Sequence, residues 1–120
     1  MHSGPRALVA YVAGSLATQR KSSSVYDYTE GGHRMVSGAV SGRHINVFDY
    51  TDSCSMTGSG QGSKFSLYHY GQGAHITLEM KDGNFSGYDY GTSSHYSGRV
   101  TGRRVSLYDY GEGKYFNYQI

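Results

Sequence analysis

"VSLYDYGEGKYFNYQI" (residues 105–120) closes the chain, and "FSGYDYGTSSHYSGRV" (85–100) stands twenty residues before it. The same motif returns as "SVYDY" (24–28), "NVFDY" (46–50), "SLYHY" (66–70), "SGYDY" (86–90) and "SLYDY" (106–110), at a step of 22 residues once and 20 thereafter. Partner segments alternate with these: "MVSGAV", "MTGSG", "ITLEM", "YSGRV" and "YFNYQI", with "YVAGSL" (11–16) matching them near the N-terminus. A fixed period of this length is the signature of a repeat architecture.

Two architectures suit the period: a β-solenoid with one repeat per coil, or a meander in which each repeat is a hairpin. "GQG" (71–73), "KDG" (81–83) and "GEG" (111–113) put Gly third in a three-residue connection, where a left-handed residue belongs. Tyr110 then pairs with Lys114 and Val100 with Arg104. A solenoid would stack Asp27 on Asp49 and Asp89 on Asp109 about 4.8 Å apart, a repulsion of about 1 kcal/mol even in water. The meander separates these charges by a partner strand and is preferred.

Composition agrees with strands and tight turns. The 120 residues include 18 Gly and 13 Tyr but one Pro and no Trp, and 17% are charged. The expectation is a single all-β domain over 1–120 of about eleven short strands, curled as a meander into a barrel or sandwich. The repeat units are 8–28, 34–50, 54–70, 74–90 and 94–110, with a final strand at 114–120. Cys54 is the lone cysteine, which excludes an intrachain disulfide framework and suits a cytoplasmic setting. The start "MHSGPRALVAYVAGSLATQ" has features of a weak secretory signal, but the match of "YVAGSL" to the partner segments reads it as a strand. No stretch has the length and apolarity of a membrane-spanning helix.

Alternation along the strands sorts side chains into two faces. The three-residue loops assign the paired aromatics Tyr26/Tyr28, Phe48/Tyr50, Tyr68/Tyr70, Tyr88/Tyr90 and Tyr108/Tyr110 to the core, with Val36, Met56, Ile76, Tyr96, Phe116 and Tyr118 of the partner strands. The intervening Asp or His of each unit then points outward.

The unit "HYSGRVTGRRVSLYDYGEGKYF" (95–116), with Tyr-x-Gly followed by a Gly turn and another Tyr, resembles the MORN-type hairpin repeat. "SGRVTGRRVSL" (97–107) is similar to the Gly and Val pattern of bactofilin coils, the solenoid alternative. Either likeness implies a scaffold or binding module that self-associates.

On the expected outer face, the register draws a row through His69, His75, Asp89, His95 and Asp109. Such a row admits surface pairing, a pH-sensitive patch, or a metal site built from His69, His75 and Asp89 with His95 nearby. Zinc needs ligands that converge on one point, whereas a flat sheet spreads them along a line, so surface pairing is favoured and no metal or other cofactor is expected. Neighbouring carboxylates should favour the protonated imidazole. The same face carries an apolar stripe, Val47, Phe65, Leu67, Phe85, Val105 and Leu107, which reads as an association surface.

Arg20, Lys21, Arg43, Lys64, Lys81, Arg103 and Arg104 fall in or beside one set of loops, and Glu30, Asp52 and Glu112 in the other, which gives the domain a basic and an acidic end. No catalytic constellation is present: "GSGQGS" (58–63) has no strand-then-helix context, and no nucleophile elbow occurs. The expected function is therefore non-enzymatic, a scaffold or binding module that forms a homo-oligomer or takes a protein partner. The alternatives are an anionic polymer, nucleic acid or glycan, on the basic rim, or a small ligand inside a Tyr-lined barrel.

Overall fold

Every tyrosine segment and every partner segment after residue 23 forms a strand, and each strand is antiparallel to its neighbours. The computed structural model describes all 120 residues. In chain order the elements are α1 (Ser3–Thr18), β1 (Ser24–Asp27), β2 (Gly32–Val40), β3 (His44–Asp49), β4 (Cys54–Gln61), β5 (Lys64–His69), β6 (Ala74–Lys81), β7 (Asn84–Asp89), β8 (Ser94–Thr101), β9 (Arg104–Asp109) and β10 (Lys114–Gln119). The strands run up and down as a meander, and β1 pairs with β10 to close a barrel. The fold is the all-β hairpin meander in its barrel form, not a solenoid, with ten strands in place of about eleven.

The segment expected to supply the first strand is α1, so the repeat unit drawn at 8–28 begins only at β1. Pro5 sits in the helix's first turn, where its missing N–H costs nothing, and Ala7, Ala10 and Ala13 favour the helix. Gly4 through Ser15 are buried on every side because α1 runs inside the barrel. The reason is one of hydrogen bonding. Closure of β10 on β1 leaves no sheet edge inside, and an isolated strand there would have unpaired N–H and C=O groups, whereas a helix satisfies its own. An all-round apolar helix in turn needs an enclosed site. Leu8, Val9 and Val12 are fully buried, each contributing about 1.5–3 kcal/mol of transfer free energy.

The hairpin loops are of four and two residues, not three and three. Asp109 pairs with Lys114 across Tyr110–Gly113, and Thr101 pairs with Arg104 across Gly102–Arg103. Both partitions use the same number of residues, so the period cannot tell them apart. Asp82 and Gly83, with φ of 51° and 83°, make the two-residue turn expected of an Asp-Gly pair.

That one-residue slip turns every tyrosine strand over relative to the earlier assignment. The partner strands keep their expected inner face, with Val36, Met56, Ile76, Tyr96, Phe116 and Tyr118 buried. On the tyrosine strands the inner side chains are Val25, Ile45, Val47, Phe65, Leu67, Phe85, Val105 and Leu107, packed around α1 in one cluster. The paired aromatics point outward, and Asp27, Asp49, His69, Asp89 and Asp109 point inward.

Candidate functional site

Inside the acidic end, the repeated Asp has a structural task. Its carboxylate folds over the four-residue turn and accepts turn N–H groups, as an Asx turn does. Asp27 accepts from Thr29 (2.9 Å) and Glu30 (3.1 Å), Asp49 from Thr51 (2.8 Å), Asp89 from Gly91 (2.8 Å) and Asp109 from Gly111 (2.9 Å). In the third of the five turns His69 substitutes, its Nδ1 accepting the Gln72 N–H at 3.1 Å. These bonds, absent from the three-residue reading, set the register.

Burying carboxylates requires compensating charge. Arg34 lies 2.9 Å from Asp49 and 3.1 Å from Asp52, while Asp109 takes both Arg6 (3.1 Å) and the N-terminal ammonium (2.9 Å). The positive end of the α1 dipole faces this ring, and its negative end opens toward Arg20 and Lys21, so both rims complement the helix. Arg6 and Arg34 were not singled out from sequence. The signal for Arg6 was a lone cation in an apolar run, which demands a buried counter-charge. Asp109 is held below the usual carboxylate range despite burial, by its bonds to the amino terminus and Arg6.

Cys54 Sγ lies 3.6 Å from His69 Nε2. With Nδ1 occupied as an acceptor, Nε2 carries the proton and faces the sulfur, so the imidazole has no lone pair to take a thiol proton. Burial pushes the Cys54 thiol up and the His69 imidazole down, although Asp52, Asp49 and Asp89 pull His69 the other way. The carboxylates do not win at His69, contrary to the sequence expectation, because desolvation of the charged ring outweighs them. The metal trio is also corrected. His69 and Asp89 are inside the wall, while His75 and His95 are outside, packed edge-on against Tyr68 (4.8 Å) and Tyr88 (4.6 Å). No group of three candidate ligands comes together.

The outer wall presents what the sequence reading placed inside. Tyr28, Tyr50, Tyr70, Tyr90 and Tyr110 are 46 to 62% exposed and recur once per unit around the acidic end. Each ring packs edge-on against the aromatic two residues earlier, with centroids 4.8 to 4.9 Å apart. These contacts hold the rings in place. Between adjacent units the aromatics flank clefts with floors of small polar residues. Phe48 and Tyr70 border an open cleft of about 640 Å³ over Ser55 and Thr57, and Tyr88 and Tyr110 border one of about 530 Å³ over Ser86 and Ser97.

Arg20, Lys21, Arg43, Lys64, Lys81, Arg103 and Arg104 are all exposed at the opposite end, in or beside the connections there. Arg103 Nε donates to the Ile120 carbonyl at 2.7 Å, and the Arg104 guanidinium lies 5.6 Å from the Tyr28 ring. The expected association stripe, Val47, Phe65, Leu67, Phe85, Val105 and Leu107, is inside the barrel against α1 and at most 6% exposed. It offers nothing to another subunit. The same helix fills the interior that a ligand would need, and the paired tyrosines of the repeat motif are outside, while Tyr96 and Tyr118 are inside as expected and packed in the core.

No match to this chain was found among protein-family models, curated proteins or solved structures.

Proposed function

We propose that this chain is a non-enzymatic binding module whose working surface is the tyrosine belt, and that the belt takes a protein partner or a second copy. The observation that carries this reading is the exposure of five equivalent, edge-packed tyrosines around one end. Tyrosine gives large, stiff contact area with a hydroxyl for hydrogen bonding, and a Tyr, Ser and Gly surface has the composition of a recognition surface. The locked tautomer of His69 and the raised thiol of Cys54 support the non-enzymatic part. Tyr50, Tyr70, Tyr90 and Tyr110 should be changed together to Ser, which leaves the core untouched. The variant is expected to melt within a few degrees of the parent and to lose the parent's self-association by light scattering and its co-purifying proteins. Retention of both by a folded variant would refute the belt as the working surface.

A second reading, an anionic polymer on the basic rim, is favoured by the gathering of seven cations at one end of the barrel. Arg43→Ala with Lys64→Ala and Lys81→Ala should then flatten the salt dependence of heparin or nucleic-acid binding.

A further inference from the structure

β1 has four residues and β2 has nine, so β1 covers only the first part of its neighbour. The last bond along that side of β2 runs from the Val36 N–H to the Ser23 carbonyl at 2.9 Å. Odd-numbered residues of β2 face β3: the Met35 carbonyl accepts the Tyr50 N–H, and just past the strand Ser41 N–H donates to His44. The register between them is unbroken. Alternation therefore turns the N–H and C=O of Gly38 and Val40 to the side where no strand lies.

A cavity of about 490 Å³ adjoins this open edge. Tyr11 and Leu16 of α1 supply apolar wall, Arg20 and Lys21 supply charge, and no acidic side chain lines it. Ser15, 6% exposed, packs beside Tyr11 in the same wall. A free strand edge beside an apolar recess is the geometry of strand addition, in which main-chain bonds give affinity and side-chain recesses give specificity.

We propose that the exposed edge of β2 at Gly38–Val40 is a docking site for an extended peptide bearing a carboxylate, which adds to the barrel wall as an eleventh strand. The main chain of the peptide bonds to Gly38 and Val40, an apolar side chain enters beside Leu16 and Tyr11, and the carboxylate meets Arg20 and Lys21. The same two cations repel each other's counterparts across a pair of apposed β2 edges, which disfavours a second copy as the occupant. This site is separate from the tyrosine belt and stands or falls independently of it.

The test uses an immobilised array of eight-residue peptides of alternating Val and Thr with one central Glu, alongside copies with Lys for Glu and copies interrupted by Pro. The Glu peptides are expected to bind at least tenfold better than the Lys peptides and the Pro copies not at all. Arg20→Ala with Lys21→Ala should erase the Glu preference, and Val40→Pro, which removes an N–H on the free side only, should abolish binding. In the unaltered protein, the Glu peptide should slow amide hydrogen exchange at Gly38 and Val40 while leaving Ala39, already turned toward β3, unchanged. Failure of every array member to bind, unchanged exchange at Gly38 and Val40, or dimerisation through this edge would overturn the proposal.

Discussion

Arg6 and Asp109 meet inside the barrel, with Nη1 of the guanidinium 3.1 Å from the carboxylate and its carbon 3.4 Å from the centroid of the Phe116 ring. The first turn of α1 is thereby bonded to the ninth strand, and Tyr118 Oη accepts from Arg6 Nε at 3.1 Å. Arg6→Ala would leave Asp109 with only one of its two cations and open a void beside Phe116. The expected loss is about 3 kcal/mol, by chemical denaturation. A loss below about 1 kcal/mol would mean that the helix is not seated as described.

The seating of α1 can also be read through its apolar side. Leu8 is fully buried within the core cluster, so Leu8→Ala should cost about 2–5 kcal/mol. At an exposed position the same substitution would usually stay within about 0.5 kcal/mol.

Gly87 and Gly102 separate close packing from turn conformation. A Cβ at Gly87 would run into the Thr77 carbonyl oxygen and the Tyr96 hydroxyl, so Gly87→Ala should cost about 2–3 kcal/mol, as an overpacked core does. At Gly102 nothing lies within 4 Å and φ is +59°, so Gly102→Ala should cost only about 1 kcal/mol through its backbone. Equal costs at the two sites would contradict the register.

Acid stability should carry the mark of His69. Burial lowers its affinity for a proton below that of the unfolded chain, whose imidazole titrates near 6.5. The unfolded state therefore takes up the proton first, so the contribution is complete above about pH 6.5 and is lost as pH falls through the folded value. His69→Asn, whose side-chain oxygen can still accept the Gln72 N–H, should flatten the decline in stability as pH falls below about 6.5. An unchanged slope would assign the decline to other groups.

Alkaline stability follows from the buried phenols. Tyr96 and Tyr118 are raised by desolvation, Tyr96 far above the ordinary value, and Tyr11 is raised for the same leading reason. The fold holds these protons after the unfolded chain releases them, so stability is complete below about pH 10 and falls as pH rises beyond it. Absorbance at the phenolate band should show ionisation of these rings coinciding with unfolding, and Tyr96→Phe should weaken that coupling.

Much of the architecture was legible. The recurrence of the tyrosine motif marked a repeat, the turn glycines and the spacing of like-charged Asp residues favoured hairpins over a solenoid, the alternation of Ile76 and Leu78, with Tyr96, marked the inner face of the partner strands, and the cations from Arg43 to Arg104 lie at one end. Less of the candidate site was, because the tyrosine belt changes sides with a single-residue slip. Asp109 carried the missing information: a carboxylate immediately before a turn is an N–H acceptor for that turn, and this places it inside the bend with Tyr110 outside.

Local sequence determined that this chain makes antiparallel hairpins of a constant length with one basic rim, since turn residues, β-forming side chains and spacing act within a few residues of one another. The tertiary structure alone decided that Tyr26 would meet Gln119 to close the sheet, and that Ser3–Thr18 would coil within it. Both outcomes depend on partners a whole chain length away. A strand edge remains open until another edge reaches it, and an apolar segment enclosed by the barrel wall satisfies its backbone within itself as a helix.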